Sequence, residues 1–404
     1  MQVRLALSLC AVALASACAG APRPQPEVRP EAPAAAFSLQ PAQFADVPGW
    51  AEADAAPALI AFRRSCATRR LSAPDRPLSA SAQYGGATGD WSAACSAAEY
   101  VSPGGERAFF EAYFSPALVR GPGEAKLTAY FEPIVQASRT PQPNFSAPLL
   151  RRPHDMVTVD VAAFAEAYDN EALRGAPRRL TGQLDGTQVR PYPKREDISP
   201  APGQAFAYAH PVDLYNLQIQ GSGRLAFADG TQSRAAFAAQ NGYRWNSALG
   251  ALRSSGELQG GATWANFKAW VDARGQEAGR AALNADPSYV FFEEERIDDP
   301  AIGPRGAAGV NLTPMGSIAV DPAFHPYGAV VFVDGTYESA SFRRLLVAQD
   351  TGGAIRRGPM RGDVFFGSGL DAGLAAERMN APARWWTLLP RGIPVASAEG
   401  AATG

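Results

Sequence analysis

The chain has 404 residues, 46% of them hydrophobic and 19% charged, an ordinary globular composition with room for about two domains. A formal net charge of −2 offers no broad field for nucleic acid or an anionic membrane, so binding has to come from a shaped site. His154, His210 and His325 are scattered and no CxxC occurs, which argues against a metal centre; neither metal nor cofactor is expected.

Residues 1–17 read as an export signal. Arg4 supplies the positive start, and Leu5 to Ala15 is apolar but too short to span a bilayer. Ala15 and Ala17 suit ordinary signal cleavage. The run Ala15-Ser16-Ala17-Cys18 also resembles a bacterial lipobox, with Cys18 as the acylated residue. The second reading is carried forward, because residues 18–45 follow as a tether, Pro/Ala-rich from Ala21 to Ala36. Ala19 in place of aspartate suggests sorting to the outer membrane, so the expected location is periplasmic, on a lipid anchor. Outside the export segment only Cys66 and Cys95 remain. In an oxidising compartment such a pair is expected to form one disulfide; two buried thiols are the alternative.

Further along, Ala56 to Arg69 reads as a helix with Leu59, Phe62 and Cys66 on its inner face. Glu106 to Leu118 reads as a second, with a core stripe of Phe109, Phe110, Tyr113 and Phe114. Asp160 caps a third, in which Val161, Phe164 and Tyr168 recur at helical spacing. Most of the rest reads as strand: LTAYFEP (127–133), DLYNLQIQG (213–221), GRLAFADGTQ (223–232), SYVFFEE (288–294), GAVVFVDG (328–335), RRLLVAQD (343–350) and ARWWTLLP (383–390). Asp229-Gly230 and Asp334-Gly335 read as hairpin turns. The Pro/Arg/Gln-rich stretches 139–155 and 174–204 read as surface excursions. Many short strands with few helices point to barrels rather than a doubly wound α/β sheet.

Two stretches could carry chemistry. As a strand, DLYNLQIQG puts Tyr215, Leu217 and Ile219 on one face and Asn216, Gln218 and Gln220 on the other, ending in Gly221-Ser222-Gly223. Amides that donate and accept, beside backbone left bare by glycine, suit a neutral polar ligand such as a sugar; a plain solvated sheet face is the alternative. In AQDTGGAIRRGPMRGDVFFGSG (348–369), Asp350 ends an apolar strand and Asp363 opens the next, with Phe365 and Phe366 just beyond. A carboxyl beside aromatics is partly desolvated, which raises its pKa and suits a general acid. Asp321, in SIAVDP, is a third strand-end aspartate. Each of the three could equally cap a turn.

Together LTAYFEP, LQIQGSGR, QNGY, DPSYVFFEE, GAAGVNLTPMGSIAVDP, AQDTGGAI, RGDVFFGSG and ARWWTLLP resemble, in order, the blocks of the membrane-bound lytic murein transglycosylase A family. Asp321, Asp350 and Asp363 match the three aspartates of that family's C-terminal domain. The resemblance implies a mainly β fold, a double-psi β-barrel (46–126 and 306–392) interrupted by an inserted β domain (127–305) that forms the other wall of a glycan cleft. A flexible tail follows at 393–404. It also implies cleavage of peptidoglycan glycan strands between N-acetylmuramic acid and N-acetylglucosamine, leaving 1,6-anhydro ends. Asp363 is the implied acid/base and Asp350 its support. Implied sugar contacts are Tyr130, Glu132, Gln218, Gln220, Gly221, Ser222, Gly223, Asn241, Asp321, Gly352 and Gly353. The chain departs from the family pattern at Arg356-Arg357-Gly358, at LTPMGS where LTPGRS is usual, and at Asp286 where Asn is commoner. Two other readings compete: a barrel that binds peptidoglycan without cutting it, and an aspartic-type hydrolase using Asp350-Thr351-Gly352.

Overall fold

The structure, a computed structural model, describes residues 36–395 apart from 124, 259–260, 262 and 356–357. The export signal, Cys18, most of the tether, Arg356-Arg357 and most of the tail lie outside the described residues.

Strand β1 (Ser38–Pro41) leads to three helices, α1 (Ala56–Arg69), α2 (Ser92–Ala98) and α3 (Glu106–Tyr113). Then come β2 (Phe114–Arg120), β3 (Lys126–Glu132), β4 (Ile134–Ser138), β5 (Ala147–Leu150) and β6 (Met156–Asp160). Helices α4 (Val161–Ala167) and α5 (Glu171–Arg174) precede β7 (Arg179–Asp185), β8 (Gln188–Pro191) and β9 (Ala205–Ala209). Helix α6 (Pro211–Gln220) opens onto the hairpin β10 (Gly223–Phe227) and β11 (Gln232–Gln240). Helices α7 (Ala248–Ser254), α8 (Trp264–Arg274) and α9 (Gln276–Leu283) come before β12 (Val290–Arg296). The last part holds β13 (Ser317–Ala319), β14 (Val330–Tyr337), β15 (Ala340–Asp350), β16 (Arg361–Ser368), α10 (Leu370–Ala376), β17 (Asn380–Ala381) and β18 (Ala383–Pro390).

The fold is mainly β. A nine-stranded sheet runs β1-β2-β18-β14-β15-β13-β16-β3-β17, and curls until β17 lies against β14. A six-stranded sheet runs β12-β11-β10-β4-β9-β5, with β12 reaching back to β5. Strands β6, β7 and β8 make a small third sheet. The centre of the large sheet is buried on both faces. Val330, Phe332, Leu345 and Val347 pack with Phe62, Trp91, Phe110 and Phe114 beneath α1–α3. Val331, Val333, Leu346 and Ala348 point the other way, onto Leu127, Ile318, Val364 and Trp385. That period of two explains why β14 and β15 read as nearly unbroken apolar runs.

Helix α1 has the expected bounds: Pro57 starts it, and Leu59, Phe62 and Cys66 are buried. The Cys66 and Cys95 sulfurs are bonded, joining α1 to α2. Asp160 caps α4 by accepting the Ala163 N–H, and Asp229-Gly230 turns the β10–β11 hairpin.

Several expectations are corrected. DLYNLQIQG is helix α6, not a strand. Pro211 occupies its first turn and Gly221 ends it at φ 84°, a left-handed cap that favours glycine. The second helix stops at Tyr113, because Pro116 forces the chain before it into extended conformation and β2 begins. Asp334-Gly335 lies within β14; the turn is Glu338-Ser339, both at positive φ as a two-residue hairpin requires. Of the residues at helical spacing after Asp160, Val161 is buried and Phe164 and Tyr168 are exposed, the last just past the end of α4. The stretches 139–155 and 174–204 contribute strands β5, β7 and β8. Strand β1 falls within the stretch expected as tether and pairs with β2, and β3, at the start of the stretch expected as insert, pairs within the nine-stranded sheet.

Candidate active site

Four adjacent strands, β15, β13, β16 and β3, carry the site. Ala319 of β13 stands opposite Asp350 of β15 on one side and opposite Asp363 of β16 on the other. On β3, Thr128 is opposite Asp363 and Tyr130 is opposite Phe365. Residues directly opposite share a face, so Asp350, Asp363, Thr128, Tyr130 and Phe365 line one surface. The β13–β15 pairing skips one residue, from Ala348 to Asp350. The extra residue, Gln349, is fully buried: its amide donates to Ala61 O (2.7 Å) and Ser65 Oγ (2.8 Å) and accepts from Ser317 Oγ (2.6 Å). Strand alternation turns Gln349, with Leu345 and Val347, toward α1, and the bulge brings Asp350, on the other face, opposite Ala319.

The two aspartates are held differently. Asp350 Oδ1 accepts the Ala307 and Thr351 backbone N–H groups (both 2.9 Å), and Oδ2 accepts the Tyr130 hydroxyl (2.8 Å). Asp363 Oδ1 accepts the Thr128 hydroxyl (2.6 Å), whose oxygen accepts from Arg361 Nη1 (3.0 Å). Among the described residues no hydrogen-bond donor sits on Asp363 Oδ2. Burial pushes the Asp363 carboxyl up to about 6; the Thr128 hydroxyl and Arg361 charge pull against this, and nearby Asp350 adds to it. Asp350 is also raised by burial, against the pull of its three donors. Tyr130 stays a neutral donor, its pKa driven well above the ordinary tyrosine range by burial and by both carboxyls. Its ring lies 5.3 Å from that of Phe365.

The loop beyond Asp350 is pinned where it leaves the strand. Thr351 Oγ1 donates to Val320 O (2.8 Å), and Asp321 Oδ2 accepts the Gly358 N–H (3.2 Å). Asp321 is buried and braces this loop. Gly352 and exposed Gly353 stand open, with nothing tight around either Cα. Met315 adopts φ 56° where the family pattern has glycine. A side chain at Gly316 would fall 2.3 Å from Pro57 O, which excludes the arginine of the usual pattern there.

Most of the other expected sugar contacts are engaged by partners within the protein. Asn241 is buried, donating to Pro193 O (3.0 Å) and Pro287 O (2.9 Å) and accepting the Tyr289 N–H (2.9 Å). Gln218 is buried between Arg195 Nη1 (2.6 Å) and Val290 O (3.2 Å). Ser222 accepts the Phe237 N–H, and Gly223 packs against Pro133 O. Glu132 is 1% exposed and held by two arginines. Gln220, whose Oε1 accepts the Phe131 N–H (3.3 Å), and Gly221 remain partly accessible. Thr128 and the Ala307 N–H were missed. Thr128 was within reach of sequence reasoning, since strand alternation places it on the face of Tyr130.

Fold and site define a curled nine-stranded β-sheet beside a six-stranded one, with a part-buried acid on a strand of the larger sheet. Residues 126–293 match the MltA specific insert domain and residues 316–389 the 3D domain. A solved membrane-bound lytic murein transglycosylase from Agrobacterium tumefaciens is 30% identical with a TM-score of 0.72, over 88% of this chain and 98% of that one. A lytic transglycosylase, LtgG of Burkholderia pseudomallei, is 32% identical with a TM-score of 0.57, over 89% of this chain and 97% of that one. Membrane-bound lytic murein transglycosylase A of Vibrio cholerae is 28% identical over 276 residues, 66% of each protein; the chain thus spans just under two thirds of that relative's length. The chain belongs to the membrane-bound lytic murein transglycosylase A family.

Proposed function

We propose that the chain is a lytic murein transglycosylase that cleaves the β-1,4 bond between N-acetylmuramic acid and N-acetylglucosamine without water. The reading is carried by the asymmetry of the two aspartates. Asp363 is kept protonated toward neutral pH with one oxygen uncommitted among the described residues, whereas both oxygens of Asp350 are occupied. Asp363 protonates the leaving oxygen. Its carboxylate then takes the proton of the C6 hydroxyl on the same muramic acid, which closes the 1,6-anhydro ring. A glycosidase that uses water or an enzyme nucleophile needs a second working carboxylate. Here the nucleophile is tethered to the substrate, so one acid/base is enough. Tyr130 and Asp350 orient the site, Gly352 and Gly353 allow close approach of the glycan, and the inserted domain forms the facing wall of the cleft. Mass spectrometry of digested murein sacculi tests this. Muropeptides lighter by one water than the hydrolysed form are expected; hydrolysed ends would make the chain a hydrolase, and binding without release a non-catalytic barrel.

The location proposed is the periplasmic face of the outer membrane, with Cys18 acylated. No helix among the described residues is long and apolar enough to cross a membrane.

A further inference from the structure

We propose that Glu132 is a positioning residue, a buried carboxylate that holds β16, which carries Asp363, and its neighbour β3 in register with the inserted sheet. It sits at the end of β3, where the chain passes from the nine-stranded sheet into the six-stranded one. Its Oε2 accepts from Arg224 Nε (2.9 Å), on β10, and its Oε1 from Arg234 Nε (2.6 Å), on β11. Ser368 Oγ, at the end of β16, donates to the same Oε2, and the Gly369 N–H donates to the Glu132 carbonyl (2.9 Å). The second arms of the guanidinium groups continue outward, Arg224 Nη2 to Pro300 O (2.7 Å) and Arg234 Nη2 to Ile302 O (2.8 Å).

Two strands that touch the aspartates therefore meet at one carboxylate, and a third segment joins them through its two arginines. Strand β3 carries Thr128 and Tyr130, β16 carries Asp363, and the segment after Pro300 leads to the Ala307 N–H on Asp350. The cluster is needed where the backbone ladder fails. Pairing of β16 with β3 is regular from Arg361 to Phe365, then jumps to Ser368 opposite Glu132. Phe366 and Gly367 bulge out, with Gly367 at φ 115°, a conformation that favours glycine. Past that bulge, Ser368 and Gly369 fasten the strand end to Glu132. Net stability is a poor explanation for such a cluster, since the desolvation of buried ions offsets most of their attraction. Direction is a better one: each guanidinium presents a rigid fork that fixes angle as well as distance.

The kinetic arm of the test rests on the transglycosylase reading, and the titration arm does not. In the purified full chain, Glu132→Asp retracts the carboxylate by one methylene and keeps its charge. Ser368→Ala removes only the side-chain tie to β16. For each, kcat and KM are measured on isolated glycan strands by release of anhydro ends, and the Asp363 carboxyl is titrated by carbon NMR. The expected result is a fall in kcat of about tenfold or more with KM changed less than about twofold, the pattern of a lost transition-state interaction. The Asp363 midpoint should drop by at least half a pH unit as the loosened strands admit water. Lower thermal stability with kcat and the Asp363 midpoint both at wild-type values, in Ser368→Ala and in any folded Glu132→Asp, overturns the proposal. If Glu132→Asp does not fold, Ser368→Ala decides. A wild type that releases no anhydro ends refutes the transglycosylase reading and leaves the titration to judge Glu132.

Discussion

Asp350 and Asp363 flank a single residue, Ala319, from the strands on either side of it. Two strand spacings put their α-carbons about 10 Å apart. Among the described residues no hydrogen bond joins the two carboxyls, and each is committed to its own donors. A proton-sharing dyad needs carboxyls about 3 Å apart, so the Asp-Thr-Gly at 350–352 lacks the partner that an aspartic hydrolase requires. The arrangement is one acid with a supporting neighbour.

Asp363→Asn should abolish release of anhydro ends, a loss of ~10²–10⁴-fold or more, because the amide keeps the shape but cannot pass a proton. The same variant should be more stable than the wild type at high pH. Burial lifts the folded-state pKa to about 6, above the unfolded value. Below about pH 4 both states bind the proton and the two proteins match. As pH rises toward 6 the wild type loses stability, and above that the full penalty remains. Melting curves at about pH 4 and pH 8 check the sign; equal melting temperatures at both would show that Asp363 is not desolvated.

The pH dependence of kcat follows from the same group. Activity requires protonated Asp363 and should decline as pH rises through about 6, tenfold per unit beyond it. The Thr128 hydroxyl and the Arg361 charge both hold that pKa down. Thr128→Val and Arg361→Gln should each move the alkaline limb to higher pH, whatever they do to the maximum rate. A shift to lower pH in both would assign the limb to another group.

These predictions rest on contacts that local sequence shows unevenly. Asp350 and Asp363 were legible because strand alternation and neighbouring phenylalanines are local features. The Thr128 bond to Asp363 spans 235 positions and exists only through the parallel pairing of β16 with β3, which no local pattern encodes. Asn241 and Glu132 entered only as sugar contacts implied by the resemblance; their partners are backbone groups and arginines far along the chain. Helix α6 was misread for a different reason. Its alternating apolar residues fit both periods, and the deciding signals, Pro211 and Gly221, lie at its ends.

Reduction should lower thermal stability before it affects catalysis. Cys66 and Cys95 close a loop with a sequence separation of 29, a size for which a disulfide contributes roughly 3–4 kcal/mol by limiting the unfolded chain. Both lie in the core beneath α1–α3, away from Asp363. A reductant should therefore lower the melting temperature and leave kcat unchanged while the protein stays folded. Two thiols titrating in unreduced, unfolded protein would refute the bond.

The anchor can be tested separately. Two or more acyl chains hold a protein at a bilayer where one does not, so Cys18→Ser should move activity from the membrane to the soluble fraction, or leave the signal uncleaved. Wild-type protein that is soluble and carries no lipid mass would remove the anchor and leave the chemistry as proposed.

Asp350 and Tyr130 give the sharpest test of a single acid. In Asp350→Asn the side-chain carbonyl can still accept from Ala307 and Thr351, while the new amide group meets the Tyr130 hydroxyl, which can turn to accept. The fold should hold, and kcat should fall by about tenfold with anhydro ends still the product. Tyr130→Phe removes one of the three donors on Asp350 and should cost less, since both backbone N–H groups remain. In each variant the residual product keeps its anhydro form, because the group that moves the proton is untouched. Loss in Asp350→Asn equal to that in Asp363→Asn, with hydrolysed ends in whatever product remains, would make the two aspartates partners in hydrolysis.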